Sequence, residues 1–320
     1  MGFEPPADAP KLALPKSYAD LPFTEIRVTN VPESSSNVTP IVLVTLYRPT
    51  RHNAFTTTMM RELELAYTLF DIDDRVKCIV QTGHGRMFCA GADLDTSIFD
   101  GGDESVRDHR DGGGRVVMAI NRCRKPTIAA LNGSAVGIGI TMTLPMNIRI
   151  AYEGAKVGFV FARRGLIMEA ASSFFLPRLI GMSKALHLCT TGATYPASHP
   201  LLSTLFSETL PTASAVLPRA LEIANEIVAN TSLVSTNLMK ELMYRGPDSP
   251  EAAHLLDSRI IYELFTSKDN KEGVDAFLQK RPVRFKGTMQ NDAPPTWPWW
   301  NAPSTANRPV EQSYKYKAKL

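Results

Sequence analysis

Residues 125–173 read KPTIAALNGSAVGIGITMTLPMNIRIAYEGAKVGFVFARRGLIMEAASS, and this stretch decides the fold. It predicts a buried strand over 127–131, a glycine-dense turn over 132–139, and an apolar segment opening near Gly137. A second strand is expected over 147–151. Some twenty residues on, one carboxylate, Glu169, stands among Leu166, Ile167, Met168, Ala170 and Ala171. A strand that feeds a glycine turn and a helix start leaves backbone N–H groups without partners, aided by the helix dipole. Such a turn suits a phosphate, a carboxylate or a developing oxyanion. An acid in apolar company is expected to hold its proton more tightly than a solvated one, which fits a general acid or base.

Working outward, 25–30 and 41–47 are strand-like and are joined by the serine-rich loop 32–40, which predicts a hairpin. Thr56 is an expected N-cap for a helix running to about Asp73, with Met59, Leu63, Ala66, Leu69 and Phe70 at helical spacing. Residues 76–82 form another apolar strand, followed by a second glycine loop, GHGRMFCAGADLDTS, over 83–97. Residues 100–114, rich in Gly, Asp and Arg, read as a mobile surface insertion, and 116–122 as a helix ending before Lys125-Pro126. This strand–helix–strand rhythm predicts an α/β fold with right-handed crossovers. Beyond Gly181 a short helix (183–190) and a last strand (206–210) precede helices at 213–230, 233–244, 251–266 and 270–279. The expected organisation is a flexible segment 1–22, an α/β core 23–212, a helical region 213–287 and a tail 288–320.

Composition narrows the function. With 320 residues, 44% of them hydrophobic, the chain can bury a sizeable core. A net charge of +3 gives no basic field of the kind a nucleic acid requires. The four cysteines (78, 89, 123, 189) lack CxxC spacing and read as thiols of a reducing compartment; the six histidines lack metal-ligand spacing. No apolar run is long enough to span a bilayer. The chain ends in Ala318-Lys319-Leu320, the small–basic–leucine pattern of the peroxisomal address, which implies a peroxisomal location and an import receptor as partner.

The turn 132–139 is not a dinucleotide fingerprint, since Gly137-Ile138-Gly139 lacks the third glycine. Nor does it carry the GK[ST] of a P-loop or the G-x-S-x-G of a nucleophile elbow. Tight packing of a helix on a strand accounts for it equally well when it is taken alone. The second glycine loop changes the balance, because two loops at two strand ends can each aim an N–H at one carbonyl oxygen.

Four segments, MFCAGADL (87–94), KPTIAALNGSAVGIG (125–139), LIMEAASSFFLPRLIG (166–181) and SKDNKEGVDAFLQKRPVRFKG (267–287), together resemble the crotonase, or enoyl-CoA hydratase/isomerase, superfamily. The resemblance covers about residues 24–287. It implies a spiral of ββα units with a helical C-terminal trimerisation region, and so a homotrimer or dimer of trimers. The implied substrate is an acyl-CoA; no separate cofactor is expected, because coenzyme A enters as part of the thioester. The N–H groups of Ala92 and Ile138 match the oxyanion hole. Arg51, Ala54, Ala90, Asp93 and Leu94 match positions near coenzyme A, and Phe277 and Lys280 match its C-terminal contacts, contributed across subunits.

Hydratases of the family carry two glutamates, and the matching positions here hold Thr141 and Phe161. The run Met168-Glu169-Ala170-Ala171-Ser172-Ser173 resembles instead the P-E-G-C-S-S pattern of peroxisomal Δ3,Δ2-enoyl-CoA isomerases. The leading expectation is therefore an isomerase in which Glu169 alone shuttles a proton between C2 and C4, with Phe161, Ile167 and Met168 excluding water. The alternatives are a hydratase acting on an unusual acyl-CoA and a non-catalytic acyl-CoA-binding scaffold. Asp93 and Asp95 are further candidate acids. Asn147 and Thr204 depart from the family's usual acid and glycine, which bears on local packing.

Overall fold

The computed structural model describes residues 13–95 and 105–305. The C-terminal tripeptide with its expected peroxisomal address, and most of the expected flexible N-terminal segment, lie outside the described residues. The expected insertion at 100–114 is described only from 105 onward.

The expected hairpin is present: β1 (Ile26–Asn30) pairs antiparallel with β2 (Ile41–Leu46). Thr56 caps α1 (Thr57–Ile72), its hydroxyl accepting from Met59 N at 3.1 Å. Strands β3 (Cys78–Gly83), β5 (Thr127–Leu131), β7 (Ile148–Tyr152) and β10 (Glu208–Leu210) extend the hairpin into one sheet of order β1-β2-β3-β5-β7-β10, parallel from β2 onward. Every residue of β3 and β5 is buried, as their unbroken apolar runs demand of a sheet covered on both faces.

A second sheet was not expected from the sequence. Short strands β4 (Met87–Cys89), β6 (Ser134–Val136), β8 (Lys156–Gly158) and β9 (Thr194–Pro196) align in that order, parallel except for the antiparallel β8–β9 pair. The stretch read as a glycine turn thus contains β6. Three strands of the long sheet are each followed by one of the short sheet and then by a helix: β3-β4-α2 (Gly112–Arg122), β5-β6-α3 (Ile138–Thr141), β7-β8-α4 (Ser172–Ile180). This is the spiral of ββα turns. Strand β6 ends at Val136, and α3 begins at Ile138, with Gly137 alone between them.

The main core lies between the sheets and α1, α2 and α4. The other face of the long sheet is sealed by α6 (Ala213–Asn230), through Val216, Ala220 and Ala224. After α5 (Met182–Thr191) and α6, helices α7 (Leu233–Arg245), α8 (Pro250–Leu264) and α9 (Lys268–Leu278) complete the expected helical C-terminal region.

Some segments depart from expectation. Tyr18, in the stretch read as flexible, is 1% exposed and donates to Asp73 Oδ2 at 3.0 Å. Part of the expected tail packs too, with Met289, Trp297 and Trp299 against α7 and α8. Helix α2 begins four residues before the expected 116, inside the segment read as a surface insertion. Asn147 keeps the acceptor role of the acid it replaces, taking hydrogen bonds from Thr127 N (3.0 Å) and Thr127 Oγ1 (3.1 Å). Thr204 lies exposed in a turn.

Candidate active site

The two glycine loops meet. Gly137 adopts φ 54° and ψ −126°, a conformation that a side chain strongly disfavours, and this turns the chain from β6 into α3. Gly91, at φ 96°, lies against the Val136 carbonyl, close enough that a β-carbon there would touch it at 3.0 Å. The crossing brings Ala92 and Ile138 onto the wall of one cavity of about 430 Å³. Ile138 is the first residue of its helix, so its N–H has no intrahelical acceptor. Around Ala92, Phe55 N donates to Gly91 O and Asp93 N to Phe55 O, a pairing that passes over the Ala92 N–H. Two donors are thus available to one oxygen in the cavity.

Glu169 lines the same cavity. Its Oε1 accepts from Thr141 Oγ1 at 2.7 Å. Burial pushes the Glu169 carboxyl up to about 8; the Thr141 hydroxyl pulls the other way, and the nearby Asp111 carboxyl adds to the rise. Near neutral pH the protonated form therefore predominates. Phe55, Met60, Val136, Val160 and Phe161 make most of the surrounding wall apolar.

The structure gathers some expected site residues and disperses others. Ala92, Ile138, Glu169, Ala90 and Leu94 share the cavity. Asp93 does not face it: it is 7% exposed and bound to Arg48 at 2.8 Å, which holds its carboxyl below the usual range. Arg48 also reaches Glu25 and the Ala54 carbonyl, so Asp93, expected near coenzyme A, instead ties the glycine loop after β3 to the segment 48–54. Arg51 pairs with Asp95 at 2.8 Å on the surface, outside the cavity wall. Phe277 is 82% exposed beside a separate groove on α7–α9, and neither it nor Lys280 lines the cavity within one chain. Ile167, expected to exclude water, is 87% exposed at the rim, and Met168 is not on the wall.

Three contributors escaped the sequence reading. Thr141 was noted only for the glutamate it lacks, yet its hydroxyl orients Glu169. Gly113, in the first turn of α2, lies so close that a β-carbon there would overlap Glu169 Oε2. Asp111 caps α2 and accepts from Ala170 N at 3.1 Å. The run Asp111-Gly112-Gly113-Gly114 carried a signal, since Asp is a strong N-cap, but three glycines concealed the helix that follows it.

Two wound sheets of ββα turns, with Ala92, Ile138 and Glu169 lining one cavity, define an enzyme of the crotonase class. The chain belongs to the enoyl-CoA hydratase/isomerase family, whose sequence pattern matches residues 36–288. Enoyl-CoA hydratase AFT3-1 of Alternaria alternata is 53% identical over 254 residues, 79% of this chain and 85% of that protein. Enoyl-CoA hydratase EchA19 of Mycobacterium tuberculosis is 32% identical over 247 residues, 77% of this chain and 92% of that protein. Among solved structures, the enoyl-CoA hydratase of Bacillus anthracis matches with a TM-score of 0.72 at 26% identity, spanning 82% of this chain and 100% of that one.

Proposed function

We propose that the chain adds water to a 2-enoyl-CoA thioester. The thioester oxygen sits between the N–H groups of Ala92 and Ile138, which stabilise the enolate formed when water attacks C3. Glu169 gives its proton to C2, and its second carboxyl oxygen takes a proton from the water. A C3–O and a C2–H bond form, the double bond is lost, and the carboxyl ends protonated as it began. One group thereby does the work of two, which answers the replacement of the usual glutamates by Thr141 and Phe161. The carrying observation is a carboxyl that holds its proton near neutral pH, on the same wall as the two donors. The hydratase names of the fungal and mycobacterial relatives support the same reading.

A second reading, Δ3 to Δ2 isomerisation, is favoured by Glu169 being the one carboxylate on the described cavity wall. The two readings need opposite starting states. Hydration begins from the protonated acid, isomerisation from the carboxylate that removes a C2 proton. With purified protein and both 2-enoyl-CoA and 3-enoyl-CoA, hydration should proceed with kcat/KM falling above about pH 8. Glu169→Gln should lower it on the order of 100-fold or more. Turnover of 3-enoyl-CoA alone, rising with pH, would replace hydration by isomerisation. No turnover of either would favour a binding protein, and undiminished activity in the Gln variant would sink both catalytic readings.

A further inference from the structure

A second groove runs between α1 and α2, and Asp111 and Ala171 line it. Asp111 stands between this groove and the glutamate. Its Oδ1 accepts from Gly114 N at 2.5 Å, starting α2, and from Ala170 N at 3.1 Å, the peptide directly after Glu169. Ala170 and Ala171 both have positive φ, 58° and 49°, so this turn is held in a conformation that alanine does not favour alone. The Asp111 carboxyl is near enough for its charge to favour the protonated form of Glu169. The Glu169 carboxyl fills the space that Gly113 leaves in the first turn of α2, two residues after Asp111.

We propose that Asp111 is the positioning residue for Glu169: it pins the strained turn that presents the glutamate and sets a negative charge beside it at the first turn of α2. The proposal rests on the reading of Glu169 as the proton-transfer group. Burial is the larger cause of the glutamate's held proton, and the negative charge of Asp111 adds to it. The other polar groups around the pair act differently. The Thr141 hydroxyl on α3 opposes that rise, and Arg164 lies on the cavity wall. On the groove side, Arg115 is paired with Glu64 of α1 at 2.5 Å, Asp71 of α1 with Arg124 at 2.7 Å, and Arg110 donates to the carbonyls of Arg107 and His109.

Asp111→Asn keeps an oxygen for both backbone donors but removes the charge, and Asp111→Ser keeps an N-cap of another length. The measurement is kcat/KM for 2-enoyl-CoA against pH, beside Glu169→Gln, with circular dichroism of each variant. The expected result is a midpoint of the alkaline fall that moves down by at least about one pH unit in both Asp111 variants. That corresponds to roughly a tenfold loss at slightly alkaline pH, recovered in acid. A folded Asn or Ser variant with an unmoved profile would overturn the proposal, as would a uniform loss at every pH, which marks Asp111 as a structural cap only. Full activity of Glu169→Gln would instead overturn the parent reading and this proposal with it.

Discussion

As the proposed proton-transfer group, Glu169 would combine two demands that usually conflict: it would have to be buried enough to hold a proton and reachable enough to exchange it with substrate. Its surroundings leave a mark on stability as well as on activity. In the unfolded chain its carboxyl ionises above about 4.5, whereas in the folded protein it holds its proton to about 8. The folded state therefore binds the extra proton between those values, and stability falls as pH rises through that window, levelling off above it. Glu169→Gln has no such proton to lose. The melting temperature of the variant should pull ahead of the wild type as pH rises from 5 to 8, by an amount worth about 1–3 kcal/mol once partial exposure is discounted. Melting curves of both proteins across that range check it; a gap that stays constant would mean that the carboxyl is better solvated than its position indicates.

The first turn of α2 carries the site at the scale of an element. Glycine there weakens a helix by roughly 1 kcal/mol relative to alanine, so Gly113 is costly to the helix and must serve something else. It makes room for the Glu169 carboxyl, which a β-carbon would overlap. Gly113→Ala should leave the melting temperature unchanged or slightly raised, yet lower kcat/KM on the order of 100-fold by displacing the carboxyl. Unimpaired activity in that variant would show that the carboxyl has another position from which to work. The same element marks the limit of what the sequence discloses. The β1–β2 hairpin, α1 with its Thr56 cap and the buried strands β3 and β5 were legible because apolar period and capping residue agreed at each. Strands β4, β6 and β8 span three residues each, too few for alternation to register, and glycines beside them read as turns. Ala92, Ile138 and Glu169 were legible through motif resemblance. Asp111 was not, because its role depends on a contact with Ala170, 59 residues away, which no local pattern encodes.

At the scale of the whole molecule, one surface remains unaccounted for by a single chain. Helices α7, α8 and α9 border a wide groove lined by Met243 (81% exposed), Ile261 (55%), Phe277 (82%) and Leu278 (72%). Large apolar side chains clustered in this way mark an association surface more often than a free one. We infer that another copy of the chain covers this face, as the homotrimer implied by the crotonase resemblance would, placing Phe277 and Lys280 beside a neighbouring cavity rather than their own. Replacing both Met243 and Phe277 by Asp puts two charges where the interface would exclude water, a cost of several kcal/mol per contact. Light scattering after size exclusion should then fall from an oligomeric to a monomeric mass. On the proposed function, activity should fall with it, through KM more than kcat, since Ala92, Ile138 and Glu169 line a cavity within one chain, whereas the proposed coenzyme A contacts would be lost. A monomeric wild type, or a variant that keeps the wild-type mass, would place the interface elsewhere and leave this groove to a different partner.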